Sequence, residues 1–343
     1  MPETIAIIGD GAMATVCAGL LTGNGHAVRL FSIFRDHLDE MRLERQNRRY
    51  LPGVPLAEQV ILTADGGQVL DGATLILSAM PCQFIRAWWG RLVQKLPRGV
   101  PICSLTKGIE NGTLLRPTQI LRELLGPVPV AVLSGPNIGP ELARRLPATA
   151  VVASEDDELA GFVQRTFATE WFRVYTNTDL VGVELAGATK NIIALAAGMI
   201  DGLEAGCNAK AALITRGLAE ITRLGLALGA RRETFAGLAG LGDLVTTCIS
   251  PVGRNRSAGE RIGRGLTLDQ VVQETHSVIE GVATTRSVLE LARRHGVEMP
   301  ITAAIHAVLF EGRGVSDAIG DLMRRRLKSE EGTDRQAESG YRP

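Results

Sequence analysis

The chain has 343 residues, a length that suggests two domains, and its 45% hydrophobic content is that of an ordinary globular protein. Lysine plus arginine and aspartate plus glutamate both number 37, so the formal charge is zero. That balance argues against nucleic acid or an anionic membrane as a partner and leaves only local charged pockets. Five cysteines (Cys17, Cys82, Cys103, Cys207, Cys248) are scattered and never form a CxxC pair. They read as buried free thiols of a reducing compartment, with neither a disulfide framework nor a metal site. The N-terminus has no basic flank of the kind a signal peptide carries, and no uninterrupted apolar run spans a bilayer. A cytoplasmic protein without membrane insertion is expected.

Thr4–Ile8 is a short apolar run and reads as a buried strand. It leads into Gly9-Asp10-Gly11-Ala12-Met13-Ala14, which fits G-x-G-x-x-G/A with alanine in the third place. The first glycine permits a tight turn, the second lets a pyrophosphate approach the backbone, and the third small residue lets the helix pack on the strand. A helix over Ala12–Gly23 would aim its N-terminus at phosphates, and a second strand follows at Ala27–Phe31. This strand–turn–helix–strand context is what the motif requires, so dinucleotide binding is expected. The end of the second strand usually selects the cofactor. Here the chain reads Phe31-Ser32-Ile33-Phe34-Arg35-Asp36, with no acid at the strand tip and both Arg35 and Asp36 a few residues beyond, so the choice between NAD and NADP stays open.

Residues 39–49 are charged and read as a helix, and Tyr50-Leu51-Pro52-Gly53 as a turn. Further buried strands are predicted at 60–63, 73–79, 101–105 and 128–133, with short ones at 150–153 and 172–175 flanking a helix. Strands alternating with helices imply a parallel sheet covered on both faces. Lys107, just past the strand at 101–105, is a candidate for an anionic group; a solvated loop lysine is the alternative. After Asp179 no convincing strand appears, and the domain boundary is placed near 178–184.

The second part opens with residues 183–211, apolar nearly all the way round in its first portion, which marks a buried helix. Lys190 sits in its middle, flanked three and four residues away by Ala186, Gly187, Ile193 and Ala194. Such a lysine must snorkel outward, pair with an acid or face a polar cavity, and this stretch alone does not choose. On the next helix, 208–228, Arg216 and Glu220 are four apart and could support each other, with a solvated helix pair as the default. Gly237, Gly240 and Gly242 then make a tight loop before Asp243, which is either delivered to a fixed place or serves as a helix N-cap. Gly253-Arg254-Asn255-Arg256 supplies two guanidiniums and an amide, a combination suited to phosphate. Helices follow from Gly281 and from Pro300, and the charged chain end reads as a disordered tail.

Taken together these pieces are specific. The chain resembles bacterial NAD(P)-dependent glycerol-3-phosphate dehydrogenase over almost its whole length. The resemblance is carried by Asn47-Arg48-Arg49-Tyr50-Leu51-Pro52-Gly53, Thr106-Lys107-Gly108-Ile109-Glu110, Leu133-Ser134-Gly135-Pro136 and Val183-Glu184-Leu185 leading to Lys190-Asn191. The run from Ala212 to Glu220, the glycine loop up to Asp243, Arg254-Asn255-Arg256, Glu280-Gly281-Val282 and Glu298-Met299-Pro300-Ile301 complete it. It implies an α/β Rossmann-type N-terminal domain with a mostly parallel sheet, followed by an all-α C-terminal domain like that of 6-phosphogluconate dehydrogenase. The corresponding limits here are 1–180, 181–328 and a tail at 329–343. It also implies reversible hydride transfer between sn-glycerol 3-phosphate and dihydroxyacetone phosphate with NAD or NADP, a supply of glycerol phosphate for phospholipids, and a homodimer.

The family's roles fall on particular residues. Lys190 matches the acid/base lysine, Lys107 the lysine touching both substrate and cofactor, and Asp243 a substrate-site acid that steadies Lys190. Gly135, Asn137, Gly253, Arg254 and Asn255 match substrate contacts, the last two at the phosphate end. Gly9, Gly11, Ala12, Met13, Ala14, Arg35, Gly139, Arg254, Val278 and Glu280 match cofactor contacts. Departures lie in the ligand loops: Ala12 and Met13 stand for serine and an aromatic, Ile33 for a common arginine, Asn137 for serine or threonine, and Gly253 for serine. Two other readings stay open, a related dehydrogenase of another hydroxy substrate and a dinucleotide-binding sensor without catalysis.

Overall fold

The structure, a computed structural model, describes residues 1–275, 277–327 and 329–330. The tail expected at 329–343 thus lies outside the described residues, apart from Ser329 and Glu330. The strands are β1 (Thr4–Ile8), β2 (Ala27–Phe31), β3 (Ile61–Thr63), β4 (Leu75–Ser78), β5 (Ile102–Ser104), β6 (Val130–Ser134), β7 (Ala148–Ala153) and β8 (Phe172–Asn177). Between them run α1 (Ala12–Gly23), α2 (Arg35–Glu44), α3 (Gly66–Leu70), α4 (Ile85–Trp89), α5 (Pro117–Leu125), α6 (Gly139–Ala143) and α7 (Asp157–Phe167). All described elements after β8 are helical: α8 (Leu180–Gly202), α9 (Gly206–Ala227), α10 (Arg232–Ala236), α11 (Asp243–Ile249), α12 (Arg254–Gly263), α13 (Leu268–Gln273), α14 (Glu280–Arg294), α15 (Pro300–Phe310) and α16 (Val315–Met323).

The sheet has the order β3-β2-β1-β4-β5-β6-β7-β8 and is parallel except where β6 meets β7. Its first six strands follow the 3-2-1-4-5-6 order of the doubly wound dinucleotide fold. Helices cover both faces, and the pleat divides the core accordingly. Ile5 and Ile7 of β1 pack with Val16, Leu21 and Leu38, whereas Ala6 and Ile8 pack with Trp88, Trp89 and Leu121. Burial on both faces is why these strands read as continuous apolar runs and not as alternating ones.

The helix expected at 39–49 starts earlier and stops sooner. The Ser32 hydroxyl accepts the Phe34 amide at 3.0 Å, turning the chain into α2 at Arg35. Arg45 then ends it in a left-handed conformation (φ 45°). Asn47 has left the helix to reach back to the glycine loop, donating to the Asp10 carbonyl at 2.7 Å and to the Thr15 hydroxyl at 2.8 Å.

Helix α8 is long and apolar enough to cross a membrane, but 94% of its apolar window is buried inside the protein. Glycines permit that burial. A Cβ on Gly198 or Gly202 of α8 would overlap the α12 backbone at Arg256 or Glu260, and one on Gly259 or Gly263 of α12 would overlap Leu195 or Met199 of α8. The two backbones therefore touch. Buried carboxylates fix the helix ends. Asp179 accepts the Gly182 and Arg231 amides, both at 2.8 Å, and the Thr234 hydroxyl at 2.6 Å. Glu184 accepts the Thr118 amide at 2.8 Å and hydroxyl at 2.7 Å, and it also pairs with Arg116, tying α8 to the start of α5.

Two expectations are corrected here. Glu220 does not pair with Arg216. It is buried and accepts the Ile301 and Thr302 amides and the Thr302 hydroxyl, each at 2.8 Å, thereby holding the start of α15. Backbone donors left open at a helix start are a better partner for a buried acid than a half-exposed guanidinium. Of the cysteines, Cys17, Cys82, Cys103 and Cys248 are buried thiols, but Cys207 is exposed on the first turn of α9. No metal-holding cluster of His, Cys, Asp or Glu occurs among the described residues.

The glycine contacts separate two substitutions of the same kind. Gly198→Ala, with no room at the α8–α12 crossing, is expected to cost about 1–3 kcal/mol or more. Gly19→Ala in α1, with nothing within 4 Å of the new methyl, is expected to stabilise by about 0.4–1 kcal/mol. Urea unfolding of both variants checks the opposite signs.

Candidate functional site

Of the sequence-predicted residues, Lys107 after β5 and Gly135 after β6 come together with Lys190 of α8 and Asp243 of α11. Lys190, 6% exposed, extends from α8 and donates to Asp243 Oδ1 at 2.6 Å and to the Thr247 hydroxyl. Of the three options it takes the pairing with an acid and does not snorkel outward. Burial pulls its pKa down to about 8, with the Asp243 charge resisting and the Lys107 charge assisting. Lys107 follows β5 and donates to the other oxygen of the same carboxylate, Asp243 Oδ2, at 2.5 Å and to the Gly135 carbonyl at 3.1 Å. The Thr106 hydroxyl, bonded to the Met80 carbonyl at 2.7 Å, fixes the loop that carries it.

Asp243, 1% exposed, is not a helix N-cap. The glycine loop forms one π-helical turn, Leu238–Gly242, that runs directly into α11, so Asp243 already has helical angles (φ −71°, ψ −33°). A Cβ on Gly240 would overlap the Phe235 backbone, which shows why the turn needs glycine. The Asp243 carboxylate is thereby free of backbone capping and spans two ammonium groups. Thr247 lies one helical turn beyond Asp243 and holds Lys190 from the same helix face. It was not singled out from the sequence, although a hydroxyl four residues after a site acid on a helix is a readable signal.

Gly135 has φ +139°, and its carbonyl is the second acceptor of Lys107. The Asn137 Oδ1 beside it is buried without a partner. Gly253 is the N-cap of α12, with no side-chain cap on the amides that follow. Arg254 opens α12 in an exposed position and donates to the Val278 carbonyl at 3.3 Å. Asn255 is committed within the fold. Its Nδ2 donates to Asn191 Oδ1 and its Oδ1 accepts the Gly281 amide, both at 2.9 Å. It locks α12 to α8 and α14, which sets the direction of the α12 N-terminus.

The residues at the end of β1 fit a dinucleotide phosphate. Gly9 has φ +130°, and a Cβ there would stand 2.5 Å from the Ala79 carbonyl oxygen. Gly11 is the N-cap of α1, carries no side-chain cap, and has nothing within 4 Å of its Cβ direction. The amides of Ala12, Met13 and Ala14 thus begin a helix with open donors. Gly139 opens α6 against Ala12, and a Cβ there would meet the Ala12 methyl at 3.8 Å, an ordinary contact, so packing does not demand glycine at this position. Glu280, at the start of α14, accepts the Cys82 amide at 3.0 Å with Oε1, while Oε2 is buried without a partner. Burial pushes its pKa up to about 7. Arg35 is exposed on α2, beside a surface cleft it shares with Asp39, Arg42, Thr63, Asp65 and Lys95.

A doubly wound sheet with a bare helix start beyond β1, and a buried lysine where a helical bundle closes over the strand ends, is the plan of a dinucleotide-dependent oxidoreductase. Comparison with known proteins narrows this class. The family described as NAD-dependent glycerol-3-phosphate dehydrogenase matches twice, its N-terminal part over residues 4–160 and its C-terminal part over residues 179–320. The chain belongs to this family. It is 46% identical over 329 residues to glycerol-3-phosphate dehydrogenase [NAD(P)+] of Syntrophotalea carbinolica, covering 95% of this chain and 99% of that one. It is 48% identical over 330 residues to glycerol-3-phosphate dehydrogenase [NAD(P)+] 2 of Mycobacterium tuberculosis, covering 96% and 98%. A crystal structure of glycerol-3-phosphate dehydrogenase from Coxiella burnetii superposes with a TM-score of 0.91 at 40% identity, covering 94% of this chain and 99% of that one.

Removing the shared counter-ion would leave the buried Lys190 ammonium and the partly buried Lys107 ammonium facing each other. Asp243→Ala is expected to destabilise the protein by about 3 kcal/mol or more at neutral pH. Denaturant unfolding measures it, and wild-type stability in this variant would mean that the carboxylate does not compensate the lysines.

Proposed function

We propose that this protein interconverts sn-glycerol 3-phosphate and dihydroxyacetone phosphate with NAD(H) or NADP(H), as a cytoplasmic homodimer that supplies glycerol phosphate for phospholipids. The observation that carries the reading is the pairing of two lysines with one carboxylate. Lys190 and Lys107 share Asp243, so the junction holds one cation more than it neutralises. A phosphorylated ketone, whose carbonyl oxygen gains negative charge during reduction, meets that excess.

A bound nicotinamide supplies or accepts the hydride at substrate C2. The protein's part is acid–base and electrostatic. In the reductive direction Lys190 gives a proton to the C2 oxygen, and in the oxidative direction it takes one from the C2 hydroxyl. Asp243 and Thr247 hold the ammonium in place for both. Lys107 adds positive charge next to the same oxygen and stays fixed by the Gly135 carbonyl. At the phosphate end, the uncapped N-terminus of α12 offers backbone donors and Arg254 offers a guanidinium. Asn255 supports that end by orienting α12, and the unpartnered Asn137 Oδ1 is an acceptor for a substrate hydroxyl.

The pH dependence follows from the Lys190 pKa of about 8. Reduction needs the protonated lysine, so its kcat/KM falls as pH rises through about 8. Oxidation needs the neutral amine, so it falls as pH drops through the same value. Asp243 holds the ammonium form up, so in Asp243→Asn both limbs move to lower pH. Initial rates in both directions against pH test this, and limbs that do not move would separate Asp243 from the titration.

The direct test is oxidation of NADH and NADPH driven by dihydroxyacetone phosphate, beside a ketone derived from a hydroxy acid. Turnover with the latter alone would overturn the substrate. Lys190→Ala is expected to lower turnover by about 10²–10⁴-fold while dinucleotide affinity stays close to wild type. Full activity in that variant would remove Lys190 from the chemistry.

A further inference from the structure

We propose that Asp10, the residue between the two fingerprint glycines, binds the adenosine ribose and makes this protein prefer NAD(H) over NADP(H), an inference that rests on the dinucleotide reading above. In sheets of this order the ribose 2′-hydroxyl is met by an acid about 20 residues beyond the fingerprint, at the tip of the second strand. That tip holds Phe31 and Ser32 and no acid. Ser32 is fully buried, and its hydroxyl donates to Asp10 Oδ2 across 22 residues of chain. The carboxylate absent from β2 therefore stands at the β2 tip after all, brought there from the loop after β1.

The loop is fixed on every side that matters. Ile8 is in register with Phe31, and the Gly9 amide continues that ladder to the Phe31 carbonyl at 3.0 Å. Asn47 holds the Asp10 carbonyl at 2.7 Å, and the Ala79 carbonyl blocks the far flank of Gly9. The Ser32 hydroxyl, besides donating to Asp10, accepts the Phe34 amide at 3.0 Å, so the pin itself cannot swing. Asp10 is 7% exposed, and its Oδ1 has no hydrogen bond or ion pair among the described residues. One carboxylate oxygen is thus committed and oriented while the other remains an open acceptor.

A preset, nearly buried carboxylate accepts a ribose hydroxyl without reorganisation and repels a 2′-phosphate. The opposing influence is Arg35, exposed on α2 and without a partner among the described residues. Of the other cations on that cleft, Arg42 is paired with Asp39 at 2.7 Å and Lys95 with Asp65 at 3.4 Å. Water and salt screen an exposed arginine, whereas a carboxylate under the protein surface acts through a lower dielectric, so Asp10 decides the balance.

Fluorescence titration of the full-length protein with NADH and with NADPH, without substrate, reads the two affinities directly. Wild type is expected to bind NADH the more tightly. Asp10→Asn keeps an acceptor for Ser32 but removes the charge, and is expected to narrow the NADPH/NADH ratio of dissociation constants by about tenfold. If that variant does not fold, Ser32→Ala replaces it; releasing the carboxylate from its pin is expected to weaken NADH by several-fold and narrow the same ratio. Tighter wild-type binding of NADPH, or an unchanged ratio in the folded variant, overturns the proposal. Binding of neither dinucleotide by folded wild type would instead remove the dinucleotide reading on which it stands.

Discussion

Two ammonium groups on one buried carboxylate set the terms for the rest of this molecule. Lys190 comes from α8, Lys107 from the loop after β5, and Asp243 from α11, with the two contacts at 2.6 and 2.5 Å. A single carboxylate cannot neutralise both cations, and burial makes the uncompensated charge expensive. The excess positive charge favours an anion beside the junction, a condition that a phosphorylated substrate satisfies. The same crowding keeps one amine near its titration point. Burial and the second lysine push the Lys190 proton off, and Asp243 holds it on. A group balanced in this way exchanges a proton in either direction at little cost.

Holding three chain segments to that geometry explains features that would otherwise look incidental. Helix α8 is apolar on every side because it is the axis around which α9, α11, α12 and α14 pack. Its glycines let α12 come into backbone contact, and Asn255 links α12 to Asn191, the neighbour of Lys190. The buried acids sort by what they face. Asp179, Glu184 and Glu220 each accept backbone amides near helix starts and so settle the architecture. Asp243 sits inside a helix that continues the preceding π turn and caps nothing, which leaves its carboxylate for the lysines. Burial alone does not separate these acids; the presence or absence of backbone donors around them does.

That distinction also explains what the sequence disclosed. The inner strands were legible because burial on both faces writes continuous apolar runs, β8 as a short β-like run with alternating burial, and α1 because the glycine fingerprint fixes its start. Lys190 stood out because a charge inside an apolar helix demands a partner. The partner's geometry was less accessible. Gly237, Gly240 and Gly242 announce a tight turn, but not that the turn is π-helical and leaves Asp243 uncapped. Glu220 was read as one of a helix pair with Arg216, solvated by default, because local spacing cannot see Ile301 and Thr302, 81 and 82 residues away. The helix at 39–49 was misplaced because a charged stretch gives no register, whereas its observed limits are set by Ser32 before it and Arg45 at its end.

Asp10 shows the same limit at the other half of the site. A search for an acid at the tip of β2 inspects β2 and finds none, because sequence position stands in for spatial position. In a parallel sheet the residues just beyond two neighbouring strands lie side by side, so the loop after β1 can furnish what the end of β2 lacks. The departures at Ala12, Met13 and Ile33 then take on a different weight. Phosphate binding at the start of α1 depends on backbone amides that remain uncapped whichever side chains follow Gly11. What those positions alter is the surrounding shell, while Asp10 beside them is pinned through its carboxylate to Ser32 and through its backbone carbonyl to Asn47. The two acids share one kind of support from other chain segments: Asp10 is fixed by Ser32 beyond β2, and Asp243 by Lys190 of α8 and Lys107 after β5.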